Sequence, residues 1–154
     1  MALIHEKLYQ YDNLSSINMR EYIGQLSDFL AQTYRSDKEI KVIIDADDIN
    51  LDIDVAVPLG LITNELLSNA WKYAFQGTDG GEIRINLQKT ENGHQLEIQD
   101  TGRGIADDID PFETKSLGLK LVRSLTRQIQ GELQVVNQNP GTAFRVAFRE
   151  LMVA

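Results

Sequence analysis

Glu65, Asn69 and Lys72 are the first residues in this chain whose types and spacing suggest shared chemistry. Positions i, i+4 and i+7 fall on one face of a helix. A carboxylate there can accept a proton from an attacking group or a water. A carboxamide oxygen can join Mg²⁺, a cation that usually keeps several waters and takes few protein ligands. An ammonium can meet a phosphate as a point charge. The three together suit a metal–phosphate site, and the same spacing also fits a solvated helix face with a Glu–Lys contact. Ile62, Leu66, Ala70 and Tyr73 fall on another face of the same helix, and Asn64 is expected to face away from the trio.

Three further motifs follow along the chain. Asp100, Thr101, Gly102, Arg103 and Gly104 stand directly after an apolar strand. Alternate glycines let the backbone approach a ligand closely, and a carboxylate at a strand end can accept a hydrogen bond from an exocyclic amine. A plain strand-to-loop turn would read the same way. The dinucleotide fingerprint is excluded, because GRGIAD lacks its third glycine and its following helix. Ser116, Leu117 and Gly118 open a helix, where free N–H groups and the helix dipole favour anions. Lys120, Arg123 and Arg127 continue along one face of it, as a phosphate-side stripe or a wet basic one. Gly141-Thr142-Ala143-Phe144 closes the series and carries little by itself. The two histidines, His5 and His94, are too far apart to suggest a metal site.

The elements that must position these residues can be read from periodicity. A short helix is expected over 2–10 and a connector over 12–17. Asn18 is a plausible N-cap for a helix over 19–34, with Glu21 completing a capping-box-like pattern. Its apolar stripe is Tyr22, Leu26, Phe29, Leu30 and Thr33. Residues 39–44 read as a strand and 45–50 as a turn. Asp54 could cap a helix over 55–75, with Pro58 tolerated near its start. Residues 82–88 and 94–100 form a hairpin whose Asn92-Gly93 pair suits a tight turn. A helix over 117–130 has Leu117, Leu121, Leu125 and Ile129 as its core row and Gly131 as its C′ residue. Strands over 132–138 and 142–150 meet at a turn over 139–141. Hairpin-joined strands with helices on one face make an α+β two-layer sandwich with a mixed, mostly antiparallel sheet.

Composition narrows the function classes. The 154 residues suit one domain with a short appendage, and they contain no cysteine, which excludes a disulfide scaffold, a thiolate zinc site and a cysteine nucleophile. Fifteen Lys and Arg against 23 Asp and Glu give a net charge of −8. Phosphate contacts dominate nucleic-acid affinity, so DNA and RNA are poor partners for such a chain. A single nucleotide remains possible, because a few local groups and a metal suffice for it. The longest nearly apolar run, 55–62, falls far short of the roughly 18 residues that cross a membrane. The N-terminus lacks the basic start and apolar core of a signal peptide. A soluble, reducing, cytoplasmic setting without membrane contact is therefore expected.

Taken in order, the motifs resemble those of a known superfamily. NELLSNAWKYAF (64–75) resembles the N box of the GHKL ATPases, DTGRGI (100–105) the G1 box, SLGLKLV (116–122) the G2 box, and GTAFRVAF (141–148) the closing hairpin. PLGLITNELLSNAWKYAF and SLGLKLV look most like sensor histidine kinases. ALIHEKLY (2–9) is similar to the stretch after the phosphoacceptor helix in one histidine-kinase subfamily. The resemblance covers about residues 1–150, and it implies the Bergerat ATP-binding fold. Residues 1–14 would be the tail of the dimerisation and phosphoacceptor segment, and 15–154 the catalytic domain.

By that resemblance, Asp100 would accept the adenine amino group, with Gly102 and Gly104 shaping its pocket and Thr142 supporting it. Asn69 would be the Mg²⁺ ligand and Glu65 the general base or water orienter. Lys72 and Tyr73 would line the phosphate and ribose side. Ser116, Leu117 and Gly118 would hold phosphates through backbone amides. Ser116 stands where many relatives have glycine, the lid over 105–115 is short, and Phe112 is the candidate lid phenylalanine. The implied reaction is transfer of the ATP γ-phosphoryl group to a histidine outside this chain, with a response regulator downstream. His5 is not the implied acceptor. A non-catalytic GHKL nucleotide-binding adaptor and a serine-directed anti-sigma-type kinase are the alternatives within the superfamily. A protein-interaction domain that binds no nucleotide is the alternative outside it.

Overall fold

The computed structural model describes residues 16–105, 117–138 and 140–149. The expected helix over 2–10, His5, Phe112 and Ser116 lie outside them. The order of elements is β1 (Ser16–Asn18), α1 (Met19–Thr33), β2 (Glu39–Ala46), β3 (Asn50–Asp52), α2 (Ile53–Asn69), a π turn (Ala70–Ala74), β4 (Gly80–Thr90), β5 (Gly93–Asp100), α3 (Leu117–Gln128), β6 (Glu132–Asn137) and β7 (Thr142–Phe148).

Five strands form one sheet in the order β2-β4-β5-β7-β6. Its pairs are antiparallel except β2 with β4, which are parallel and joined through α2, as a parallel connection requires. Register puts Ile85 opposite Ile98, and Leu87 opposite Leu96, which in turn faces Val146. These alternate residues share one face of the pleat, and all are buried. α1, α2 and α3 cover that face through Tyr22, Ile23, Leu26, Val55, Leu59, Ile62, Leu66, Val122 and Leu125, with Ile129 just beyond the end of α3. The opposite face carries Glu82, Arg84, Asn86, Glu97 and Arg145, tied by ion pairs Arg84–Glu82 (2.9 Å) and Arg145–Glu97 (2.5 Å). The result is the two-layer α+β sandwich expected from the pattern.

Several local details depart from the periodicity. Residues 16–17, read as the end of a connector, together with the N-cap Asn18 pair with 50–52 as a small antiparallel ribbon. That ribbon fixes the entry to two helices at once. Asn18 caps α1 by accepting from the Glu21 N–H (3.0 Å), while its amide donates to Asp48 (2.7 Å). The cap of α2 is Asp52, which accepts from the Asp54 N–H (3.0 Å), so the helix starts two residues before the expected 55. Asp54 instead puts a negative charge in the first turn, where the dipole favours it. In α1, Phe29 is 44% exposed, and in α3 Leu121 is 36% exposed. Leu125 and Ile129 are buried as expected, and Leu119, Val122 and Thr126 are buried with them where Leu121 is not.

The end of α3 yields a stability prediction. The Gly131 N–H donates to the Thr126 carbonyl and the Gln130 N–H to the Arg127 carbonyl, a Schellman closure. That geometry makes Gln130, not Gly131, the C′ residue, and Gln130 has φ of 56°. A side chain in that left-handed region costs about 1–2 kcal/mol. Gln130→Gly will therefore stabilise the protein by about 0.5–1 kcal/mol, net of glycine's greater unfolded-state entropy. Thermal or urea unfolding of the two proteins checks it, and a destabilised variant would refute the assignment.

Candidate functional site

The N-terminal half of the site is built on α2. Glu65 and Asn69 lie one turn apart, both half-buried, with the apolar neighbours Leu66 and Leu67 turned into the core. α3 starts directly over them. A Cβ placed on Gly118 would stand 2.7 Å from Glu65 Oε2 and 3.6 Å from Asn69 Nδ2. The absent side chain at 118 is thus what lets the start of α3 approach the two polar groups. The structure brings Glu65, Asn69 and Gly118 together from elements about fifty residues apart in sequence. Leu117 opens α3 beside them.

Beyond Asn69 the helix widens. Ala70–Ala74 form a π turn, whose i→i+5 hydrogen bonds require more than four residues per turn. Tyr73, four residues after Asn69, therefore comes more nearly into line with it than an α-helix would allow. Tyr73 is 50% exposed rather than part of the apolar face that continuous α-helix spacing implies. Lys72 is turned the other way. Its ammonium lies 5.7 Å from the ring centroid of Tyr34, which is itself stacked on Trp71. The trio read from spacing is thus not a single column: Glu65 and Asn69 keep company with Gly118, and Lys72 sits over an aromatic face.

The other half of the site grows from the middle of the sheet. β5 is the central strand, and Asp100 is its last residue, opposite Ile83 on one side and Thr142 on the other. Asp100 is 7% exposed and Thr142 4%. The Gly102 N–H donates to Asp100 Oδ1 at 2.9 Å. Burial pushes the Asp100 carboxyl above the usual carboxylate range, partly offset by the backbone N–H groups of Gly102 and Thr142, which favour the charged form. Thr101 points the other way and accepts from the Glu82 N–H at 2.9 Å.

The loop after Asp100 is pinned at both ends. The Arg103 N–H donates to the Ala74 carbonyl at 2.8 Å. A Cβ on Gly102 would fall 2.1 Å from that same carbonyl oxygen, so only glycine permits the loop to lie against the π turn. Gly104 has φ of 73°. Next to it, Asn137 Oδ1 accepts from the Ile105 N–H at 3.0 Å, and its amide donates to the Ile105 carbonyl. One side chain thereby stands in for a strand partner. Asn137 is a site-shaping residue that the spacing of motifs does not reveal. Its signal is a polar residue ending the inward row Leu133, Val135, Asn137, opposite Thr142.

The two halves therefore meet through α2 and its π turn. At one end is a buried carboxylate with a glycine-shaped loop, suited to accepting hydrogen bonds from a flat amine-bearing ring. At the other are a carboxylate and a carboxamide beneath a helix start, suited to an anion and a cation that shares it.

Comparison with known proteins identifies the family and the fold. A family described as histidine kinase-, DNA gyrase B- and HSP90-like ATPase matches residues 54–151, and one described as histidine kinase matches residues 1–34. Blue-light-activated histidine kinase 2 of Erythrobacter litoralis is 32% identical over 109 residues, which are 70% of this chain and 31% of that protein. Sensor histidine kinase PdtaS of Mycobacterium tuberculosis is 26% identical over 135 residues, 86% of this chain and 27% of the relative. The chain thus spans about a third or less of the length of these curated relatives. Among solved structures, the histidine kinase domain of the Erythrobacter litoralis EL346 blue-light activated kinase matches with a TM-score of 0.83 at 26% identity. That match covers 93% of this chain and 70% of the other.

Proposed function

Because the chain belongs to the family of histidine kinase-, DNA gyrase B- and HSP90-like ATPases, we propose that it is the catalytic ATP-binding part of a two-component sensor histidine kinase. The observation that carries the reading is the meeting of Gly118 with Glu65 and Asn69, at the far end of a site closed by buried Asp100. Asp100 would accept the adenine amino group, with Gly102, Gly104 and Thr142 holding the walls of that pocket. The amides at the start of α3 would face the phosphates. Tyr73 would lie along the ribose and phosphate side.

The donor set suits Mg²⁺ shared with nucleotide phosphates. Among the described residues no group of three or more His, Asp or Glu side chains converges, and Asn69 offers a single amide oxygen. Bound there, the cation would neutralise phosphate charge and orient the leaving group. Phosphoryl transfer depends mainly on such positioning and charge neutralisation. Glu65 Oε2 would hold or accept a proton at the attacking group, and the close approach of α3 would limit water around it. The acceptor would be a histidine on a separate segment of the kinase, with a response regulator as the next recipient. The need for ATP and a chain free of cysteine support a cytoplasmic setting.

The test is phosphoryl transfer from labelled ATP to a supplied phosphoacceptor helix. Acid-labile, base-stable label on the acceptor histidine is the expected product, and it should appear equally with His5→Ala. Nucleotide binding without transfer to any histidine acceptor would favour the adaptor reading. Label stable to acid would point to a hydroxyl acceptor instead.

A further inference from the structure

The stacked pair Tyr34 and Trp71 has no role in the nucleotide site described above, yet it holds the ammonium of Lys72, which the family resemblance puts on the phosphate side of a bound nucleotide. Tyr34 is the C-cap of α1, and Trp71 is the second residue of the π turn. Their ring centroids are 6.4 Å apart with planes 16° from parallel. Lys72 Nζ lies 5.7 Å from the Tyr34 ring centroid, within the range of a cation–π attraction. The π turn produces this placement. By taking more than four residues per turn it swings Lys72 off the line of Asn69 and over α1.

We propose that Tyr34, backed by Trp71, is a positioning residue for Lys72, whose ammonium is contested between this aromatic face and the phosphates of a bound nucleotide. The inference rests on the nucleotide reading of the site. With no phosphate present, the ring face is the more favourable partner for the exposed ammonium. A charge-assisted contact to phosphate is stronger and wins it over. The aromatic face then sets how tightly a polyphosphate is held. An exposed cation–π contact of this kind corresponds to a two- to fivefold effect on affinity. A ligand without phosphates leaves Lys72 where it is.

The experiment is calorimetric titration of the 154-residue chain with Mg-ADP and with adenosine, following tryptophan emission in parallel. Trp71 is the only tryptophan in the sequence, so the emission reports the stack directly. ADP is expected to change the emission and adenosine to leave it alone, and the ADP response should vanish in Lys72→Ala. Tyr34→Leu should tighten ADP binding two- to fivefold and leave adenosine binding unchanged. Tyr34→Phe, which keeps the ring face, should match the wild type. In a Lys72→Ala background, Tyr34→Leu should have no effect on ADP. Equal emission responses to ADP and adenosine, a response that persists in Lys72→Ala, or unchanged or weakened ADP binding in Tyr34→Leu would each overturn the inference while leaving the nucleotide site intact. Absence of ADP binding to the wild type would overturn the nucleotide reading itself, and this inference with it. The emission arm needs no change at Tyr34, so it decides even if Tyr34→Leu does not fold.

Discussion

Asp100→Asn will weaken binding of Mg-ADP and Mg-ATP by roughly 5- to 150-fold. A buried donor left without its acceptor costs about 1–3 kcal/mol, and each 1.4 kcal/mol is a factor of ten. The carboxylate only accepts hydrogen bonds, and the N–H of Gly102 already donates to Oδ1. An amide in its place must direct an NH₂ group at either a backbone donor or the adenine amine, so one contact is lost whichever way it turns. Titration calorimetry on the two proteins measures the effect. Unchanged affinity in Asp100→Asn would remove Asp100 from the adenine end.

The same residue gives the unliganded protein a pH dependence whose sign follows from its burial. Desolvation holds the Asp100 carboxyl above the ordinary carboxylate range in the folded state. As pH rises from the unfolded value through the folded one, the native state binds more protons than the unfolded state, and stability falls. Above the folded value this contribution is flat. Wild-type protein should lose stability across that window relative to Asp100→Asn, which cannot ionise. Urea unfolding across the acid range checks it, and parallel pH profiles for the two would show that Asp100 is not the group responsible.

Gly118→Ala will separate chemistry from folding. The added Cβ would stand 2.7 Å from Glu65 Oε2, the tip of a flexible side chain, so the fold can accommodate it by moving the carboxylate. The stability change should stay within about 1 kcal/mol, as for a surface-side adjustment. The cost falls on the site. A displacement near 1 Å of a positioned group can lower a rate by about 100-fold. Phosphoryl transfer to a supplied acceptor helix should drop by about that factor, with the melting temperature nearly unchanged. A variant that transfers phosphate at the wild-type rate would mean Glu65 is not held for the reaction by this contact.

Some of this architecture is written in local patterns. The cap at Asn18, the 3.6-residue periodicity of α1 and α3, and the alternation of Ile83, Ile85, Leu87 with Leu96 and Ile98 are short-range signals. Each depends on residues a few positions apart, and these elements appear where the pattern puts them. The glycines at 102 and 118 are legible as places where the backbone can approach closely, but a plain turn or helix start reads the same way, and only the contacts with the Ala74 carbonyl and with Glu65 tell the two apart. The family also follows from the order of four short motifs.

Short-range pattern thus accounts for the main helices, the five strands of the large sheet and their two-layer arrangement, and it supplies the residue types from which a nucleotide site would be made, but not the ribbon of β1 and β3 or the π turn. Tertiary structure alone decided their relations. The cap moved from Asp54 to Asp52 because a ribbon between 16–18 and 50–52, set by contacts more than thirty residues apart, starts α2 early. Gln130 took the left-handed position because the closing hydrogen bonds of α3 count back from where the helix ends. The face of Tyr73 and the resting place of Lys72 were settled by a π turn, which breaks the period on which any spacing argument relies. Asn137 joined the site only because β6 and the loop after β5 meet across β7. Side-chain types are local facts, but which of them share a site depends on chain segments that the fold alone brings into contact.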